Sequence, residues 1–139
     1  MPRSRIQVGR LLMGTLYITA GALHFLATRR YMTIMPPYLP APRALVLISG
    51  AAEIAGGLGV LSPVPAVRRA AAWGVVGLLI AVLPANIYMI TGHQNFPNIP
   101  AWVAWLRLPL QLPLVYWAWR YTHERPDHRY SDANATVDQ

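Results

Sequence analysis

The feature that most constrains this chain is a set of four long apolar runs separated by short polar connections. The runs cover residues 11–28, 44–61, 70–90 and 101–119. Each is close to the ~20 residues that a helix needs to cross a ~30 Å hydrocarbon core. Lipid offers no hydrogen-bond partner to the backbone, and the runs lack the alternation of barrel strands. The sequence therefore predicts an all-α integral membrane four-helix bundle.

The 139 residues suffice for one domain. We expect a single four-span membrane domain over residues 1–122 and a polar cytoplasmic tail over residues 123–139. The first run has a basic start and the segment Ala20-Gly21-Ala22, so a cleaved signal peptide is the alternative there. Three further spans favour a retained helix. Residues 29–43 contain four prolines, and we expect a semi-rigid segment on the outer mouth rather than a plain helix.

The basic residues of the chain are twelve arginines, with no lysine. Eight of them fall in the N-terminal segment, the second connection and the tail, against three in the first loop. This bias predicts that both termini are cytoplasmic, in a bacterial cytoplasmic (inner) membrane. Because the arginines lie between apolar runs and form no single stripe, we do not expect nucleic acid as a partner. The lipid bilayer is the expected environment.

Five polar side chains stand out inside the runs, and the predicted orientation places them in the outer half of the membrane. They are His24, Glu53, Asn86, Arg107 and Gln111. Charged groups in lipid cost roughly 2.5–3.5 kcal/mol each and usually face a bundle interior. We interpret the five as ligand-binding or proton-relay candidates, with Tyr17, Ser49 and Tyr88 as neighbours. The alternative is a set of contacts that only lock the helices together.

One contact among these residues is expected above the others. The carboxylate of Glu53 and the guanidinium of Arg107 can pair bidentately, and each would otherwise be an unpaired charge in lipid. Small residues near Glu53, including Gly56 and Gly57, are expected to let a neighbouring backbone approach closely. The prolines inside the runs are expected to loosen the backbone bonding of the third and fourth runs; they are Pro84, Pro109 and Pro113.

Several kinds of chemistry are disfavoured by the residue types. The chain has no cysteine, which removes disulfide, thiol-relay and iron–sulfur chemistry from its own residues. A single histidine, His24, lies inside a run, which argues against haem. The tail string from His123 to His128 is not a zinc motif, because Asp127 stands at the second histidine position. We therefore expect no metal site.

Five short segments together resemble the DoxX-like family of small four-helix bacterial membrane proteins, over about residues 14–121. The segments are His24-Phe25, PPYLP at 36–40, SGAAEIAGG at 49–57, PANIYM at 84–89 and RLPLQ at 107–111. The resemblance implies a four-helix membrane bundle. It also implies an association with redox processes, because family relatives are linked to quinone-coupled sulfur oxidation and to membrane oxidoreductase complexes.

The leading functional prediction is a redox-associated membrane module that binds a small lipophilic molecule, such as a quinone, in an outer-half polar pocket. Arg107, Gln111 and Asn86 would donate hydrogen bonds to a carbonyl oxygen, while Glu53 and His24 would relay a proton. A non-catalytic scaffold or assembly subunit of an oxidoreductase complex is the alternative. A small-molecule transporter is a weaker alternative, which would need a homo-oligomer.

Overall fold

The computed structural model describes residues 3–96 and 98–123 of the chain. Its helices are α1 (Arg3–Leu26), α2 (Thr28–Thr33), α3 (Pro42–Leu61), α4 (Pro65–Ala81), α5 (Leu83–Thr91) and α6 (Ala101–Thr122), with a short 3₁₀ helix at His93–Asn95. No β-strand occurs in the two described ranges, and the all-helical expectation is confirmed. Apart from His123, the predicted tail lies outside the described residues.

Prolines decide where several helices begin. Helices α3, α4 and α5 each carry a proline in the first turn, at Pro42, Pro65 and Pro84. Proline is well placed there because its missing N–H would have no helical acceptor. Pro84 accordingly marks the point where the predicted third run divides into α4 and α5, with Val82 between them.

Residues 29–43 do not form one plain helix, as expected, although the first part of the segment is helical. Helix α2 covers Thr28–Thr33 and packs on α3, because the first proline of the segment, Pro36, comes only after this helix has ended. The following residues form turns, in which the carbonyl oxygen of Pro36 accepts a hydrogen bond from the N–H of Leu39 at 3.1 Å.

The helices pack in a chain of neighbours: α1 on α3, α3 on α4, α4 on α6, and α5 on α6. Helices α1 and α3 are antiparallel, because Gly21 lies opposite Gly50 while Gly14 lies opposite Gly57. The prediction that Gly57 allows a close backbone approach is confirmed: an added Cβ would lie 2.7 Å from the carbonyl oxygen of Gly14.

The buried core lies toward the end of the molecule where α1 begins and α6 ends. Its members come from α1, α3, α4 and α6 and are Met13, Tyr17, Val60, Ala72, Val75, Val76, Leu79, Ala118 and Tyr121. The side chain of Tyr121 on α6 reaches α1 here, since a Cβ added at Gly9 would collide with its hydroxyl. The core thus joins the first and last long helices at one end.

Two helical segments are long and apolar enough to cross a membrane, Pro42–Leu61 and Pro65–Thr91. They correspond to the second and third predicted spans. Only 28% and 22% of their most apolar stretches are buried inside the described structure. Large apolar side chains are exposed on the other long helices as well, for example Leu12 at 60% on α1 and Leu112 at 72% on α6.

Candidate functional site

The candidate site begins where α1 and α3 approach most closely. A Cβ added at Gly50 would lie 2.6 Å from the Cβ of His24, and one added at Gly21 would lie 2.5 Å from the carbonyl oxygen of Gly50. Any side chain larger than hydrogen at these positions would force the helices apart. The approach brings His24 next to Glu53, which follows Gly50 by about one turn of α3.

His24 and Glu53 form an ion pair when the histidine is protonated. The Nδ1 atom of His24 lies 3.2 Å from Oε2 of Glu53, and the two side chains are 12% and 13% exposed. The same Nδ1 lies 2.9 Å from the carbonyl oxygen of Ala20, one turn earlier in α1. Both neighbours of Nδ1 are acceptors, so this nitrogen carries the proton in either charge state of the ring.

The expected pairing of Glu53 with Arg107 is wrong. Within the described residues the ion-pair partner of Glu53 is His24. The reason is helix adjacency: α3 packs directly on α1 through glycines, whereas α6 packs on α4 and α5. The side chain of Arg107 remains exposed in the isolated protein.

Tyr31, which the sequence did not single out, completes the surroundings of the ion pair. Its ring stacks on the His24 ring with a centroid distance of 3.9 Å and an interplanar angle of 22°. Burial raises the pKa of the Tyr31 hydroxyl, and the negative charge of Glu53 raises it further. Tyr31 is therefore a neutral hydrogen-bond donor at physiological pH.

Tyr17 lies deeper in the protein than the ion pair. It is 5% exposed, and its hydroxyl has no hydrogen-bond partner among the described residues. Oε2 of Glu53 is also a buried oxygen without a hydrogen bond there, although it lies at ion-pair distance from His24. An unbonded buried hydroxyl is energetically unfavourable. Tyr17, predicted as a neighbour of the candidate residues, thus ends in a buried hydroxyl that has no hydrogen-bond partner among the described residues.

Asn86 and Gln111 form a second polar group, located at the break between α4 and α5. Nδ2 of Asn86 donates to Oε1 of Gln111 at 3.0 Å. Nε2 of the buried Gln111 donates to the carbonyl oxygen of Leu79, in the last turn of α4. Gln111 therefore ties α6 to both segments of the interrupted helix.

Two other predicted neighbours have local partners. Oγ of Ser49 donates to the carbonyl oxygen of Val46, one turn earlier in α3, at 2.9 Å. The hydroxyl of Tyr88 accepts a hydrogen bond from Nδ2 of Asn95 at 3.3 Å, and its ring packs edge-on against Phe96. Neither side chain joins the contact between His24 and Glu53.

A cavity of about 350 Å³ lies between the end of α1, α2, α5 and the start of α6. We call it the α1–α6 cavity. Its wall includes the apolar residues Leu23, Ile34, Met89 and Val103 and the polar residues Arg30, Tyr31 and Arg107. Small-molecule sites are typically ~300–1,000 Å³, mostly apolar, with a few polar groups that fix orientation. The volume of this cavity falls within that range, and its lining combines apolar side chains with a few polar ones.

Two of the predicted residues, His24 and Arg107, do not touch each other, but both lie near the α1–α6 cavity. Arg107 lines it directly, and His24 lies behind Tyr31, which also lines it. Sequence reasoning missed Tyr31, although a signal was present: Tyr31 follows His24 by seven residues, the spacing of two helical turns. The short break at Ala27 between α1 and α2 does not remove this alignment.

Comparison with known proteins gives one match. The family described as "Domain of unknown function (DUF8561)" matches residues 13–122 of the chain. No curated protein and no solved structure matches the chain. Within the described residues, no group of three or more histidine, cysteine, aspartate or glutamate side chains is arranged to hold a metal ion.

Proposed function

This chain belongs to the DUF8561 family, and we propose that it is a multi-pass membrane protein whose α1–α6 cavity binds a small lipophilic molecule with a carbonyl head, of the quinone class. The observation that carries the proposal is the lining of this cavity, which is mostly apolar but also includes the polar side chains of Tyr31 and Arg107. Both side chains are hydrogen-bond donors at neutral pH, and a carbonyl oxygen is an acceptor.

The membrane placement is supported by the surface of the helices. The four long apolar segments expose their large side chains, and exposed apolar surface of this extent is unfavourable in water. In the proposal all four segments cross the bacterial inner membrane, with both termini in the cytoplasm as the arginine bias predicts. The resemblance to DoxX-like proteins adds membrane oxidoreductase subunits as the proposed partners.

Access to the cavity follows from how α1 and α6 meet. The side chain of Tyr121 on α6 reaches Gly9 of α1, and both helices contribute residues to the buried core at this end. Toward the opposite end, Leu23 of α1 and Val103 of α6 stand on either side of the cavity. A lipophilic molecule could enter between these helices directly from the bilayer, with no need to pass through water.

The polar residues divide into two roles in this proposal. Arg107 and Tyr31 contact the ligand head, because they line the cavity. His24 and Glu53 position Tyr31, since the imidazole of His24 stacks directly on the phenol ring and is itself held by Glu53. Asn86 and Gln111, whose amides bond to one another and to α4, hold α6 in position.

The proposal is tested by the binding of a short-chain benzoquinone to the purified full-length protein in neutral detergent. Thermal unfolding is followed by far-UV circular dichroism with and without the quinone. Binding at a hundredfold excess over Kd should stabilise the folded state by about 2.7 kcal/mol. We expect Arg107→Gln to reduce the quinone-dependent rise in Tm, and Leu23→Trp, which fills the cavity, to abolish it.

Matched controls separate binding from general effects on stability. Leu16→Trp changes a leucine of α1 with nearly the same exposure as Leu23, 46% against 45%, at a position that does not line the cavity. Arg69→Gln removes an exposed arginine distant from it. Both control variants should keep the full quinone effect. No quinone effect in the unmodified protein, or equal loss in Leu16→Trp, would refute the proposal and leave the scaffold alternative.

A further inference from the structure

A second cavity, of about 740 Å³, lies against the α1–α2 junction and the start of α3. We call it the arginine cleft. It is lined by the guanidinium-bearing residues Arg29, Arg30 and Arg43, together with the apolar side chains of Phe25, Leu26 and Met32. Two separate parts of the chain thus bring three cationic groups to one concave surface.

The charge of the arginine cleft is not neutralised by the described protein. Glu53 is the only acidic residue in the described ranges, and it pairs with His24 in the interior. Three neighbouring cations without a carboxylate repel one another and create a strongly positive local potential. The first turn of α3 strengthens this potential, because its N-terminus has no side-chain cap.

Membrane topology does not explain these arginines either. The positive-inside bias accounts for the eight arginines on the predicted cytoplasmic side, whereas Arg29, Arg30 and Arg43 fall on the opposite side. Arginine is the side chain best suited to bind phosphate oxygens, because its planar fork donates two parallel hydrogen bonds. The apolar residues of the same cleft suit a hydrocarbon portion of the ligand.

We propose that the arginine cleft binds a phosphate group, either in the headgroup of an anionic phospholipid or in a free phosphoryl compound. The cleft is distinct from the α1–α6 cavity, although Ala27 and Arg30 line both. The lipid source depends on the membrane placement proposed above, whereas phosphate binding itself does not. Arg29 and Arg43 line only the arginine cleft and therefore provide the test.

The test uses full-length protein in a neutral maltoside detergent, with phosphatidylglycerol and phosphatidylcholine of identical acyl chains as probes. Native mass spectrometry measures how much of each lipid is retained, and a parallel titration measures the Tm in inorganic phosphate. The unmodified protein should retain phosphatidylglycerol in preference to phosphatidylcholine. Arg29→Gln and Arg43→Gln should each weaken this retention about fivefold, the effect of one arginine beside an anionic lipid.

Arg69→Gln is the matched control, because it removes an exposed arginine at the opposite end of the molecule. Loss of the lipid preference in Arg29→Gln and Arg43→Gln, but not in Arg69→Gln, supports the lipid source. A phosphate-dependent rise in Tm that the first two substitutions alone remove supports the free phosphoryl source.

Equal retention of the two lipids together with no phosphate effect overturns the inference, as does an equal loss in Arg69→Gln. Leu23→Trp should leave the lipid preference intact. The failure of quinone binding and the failure of phosphate binding are therefore observed separately.

Discussion

At the residue scale, the defining contact is between a carboxylate and an imidazole rather than between a carboxylate and a guanidinium. Arginine is charged at all physiological pH values, whereas histidine changes its charge near neutrality. The interaction of Glu53 with His24 therefore depends on the protonation of His24, and an interaction with Arg107 would not. Arg107 instead lines the α1–α6 cavity, where in the proposed function its charge would face a ligand.

Double-mutant cycles should distinguish the two pairings. His24→Ala should destabilise the protein by about 2–3 kcal/mol, because it leaves the Glu53 carboxylate buried without a partner. Glu53→Ala should be milder, since a neutral imidazole keeps its bond to the Ala20 carbonyl. The cycle of Glu53 with His24 should show a coupling of about 0.5–3 kcal/mol, and the cycle of Glu53 with Arg107 should be additive within about 0.5 kcal/mol.

These free energies are measured by unfolding titration with dodecyl sulfate in mixed micelles. Strong coupling between Glu53 and Arg107, with none between Glu53 and His24, would contradict the observed pairing.

At the element scale, glycines bring α1 and α3 together, and a helix break joins α4 and α5 to α6. Gly21 and Gly50 remove side-chain bulk where the two backbones approach. The break at Val82 ends α4 shortly after Leu79, whose carbonyl oxygen accepts a hydrogen bond from Gln111. A side chain on α6 thus compensates for the irregularity that Pro84 introduces between α4 and α5.

Glycine-to-alanine substitutions should separate two contributions to the free energy of unfolding, the packing of α1 on α3 and the helix propensity of the residue. Gly21→Ala and Gly50→Ala should each cost about 1–3 kcal/mol, because the added methyl group overlaps backbone or Cβ atoms of the neighbouring helix. Gly74→Ala and Gly77→Ala are controls on α4, where an added Cβ meets nothing within 4 Å. These two should be neutral or stabilising by up to about 1 kcal/mol, since alanine is the better helix former.

The same dodecyl sulfate titration checks the glycine series. Equal effects at all four positions would mean that propensity, and not the contact of α1 with α3, governs the result.

At the scale of the whole molecule, the two ends differ. One end is filled by the shared core around Met13 and Tyr121. The other end holds both cavities, the ion pair and the arginines of the cleft. In the proposed membrane placement, this difference between the two ends would put both proposed binding sites on one side of the membrane. The proposed orientation assigns the end that holds the two cavities to the outer side of the membrane.

The absence of native cysteine allows a direct test of this orientation. Thr33→Cys, on exposed α2, should react with a membrane-impermeant maleimide in intact cells. Pro63→Cys, in the exposed connection between α3 and α4, should react only after the cells are permeabilised. Reaction of Pro63→Cys alone in intact cells would reverse the orientation, and reaction at both positions would exclude four membrane crossings.

The sequence by itself determined that the apolar runs are helical and that polar residues inside them need partners, because run length and residue polarity are local properties of the chain. It did not predict the short helix α2 or the role of Tyr31. The run at 44–61 predicted α3, which begins two residues earlier, at Pro42. Pro84, expected to loosen the third run, lies where that run divides into two helices, whereas Pro109 and Pro113 lie inside an uninterrupted α6. His24, Glu53 and Gln111 were recognisable as polar groups that need partners in an apolar setting.

Only the tertiary structure decided which partners they have. Helical periodicity fixes the face on which Glu53 lies, but it does not state whether α1 or α6 packs against that face. The glycines at positions 21 and 50 settle the matter by allowing α1 to come closest, so His24 reaches the carboxylate and Arg107 does not. Tyr31 lies outside the predicted runs, and only the structure shows that α2 continues the alignment of α1 closely enough for its ring to stack on His24.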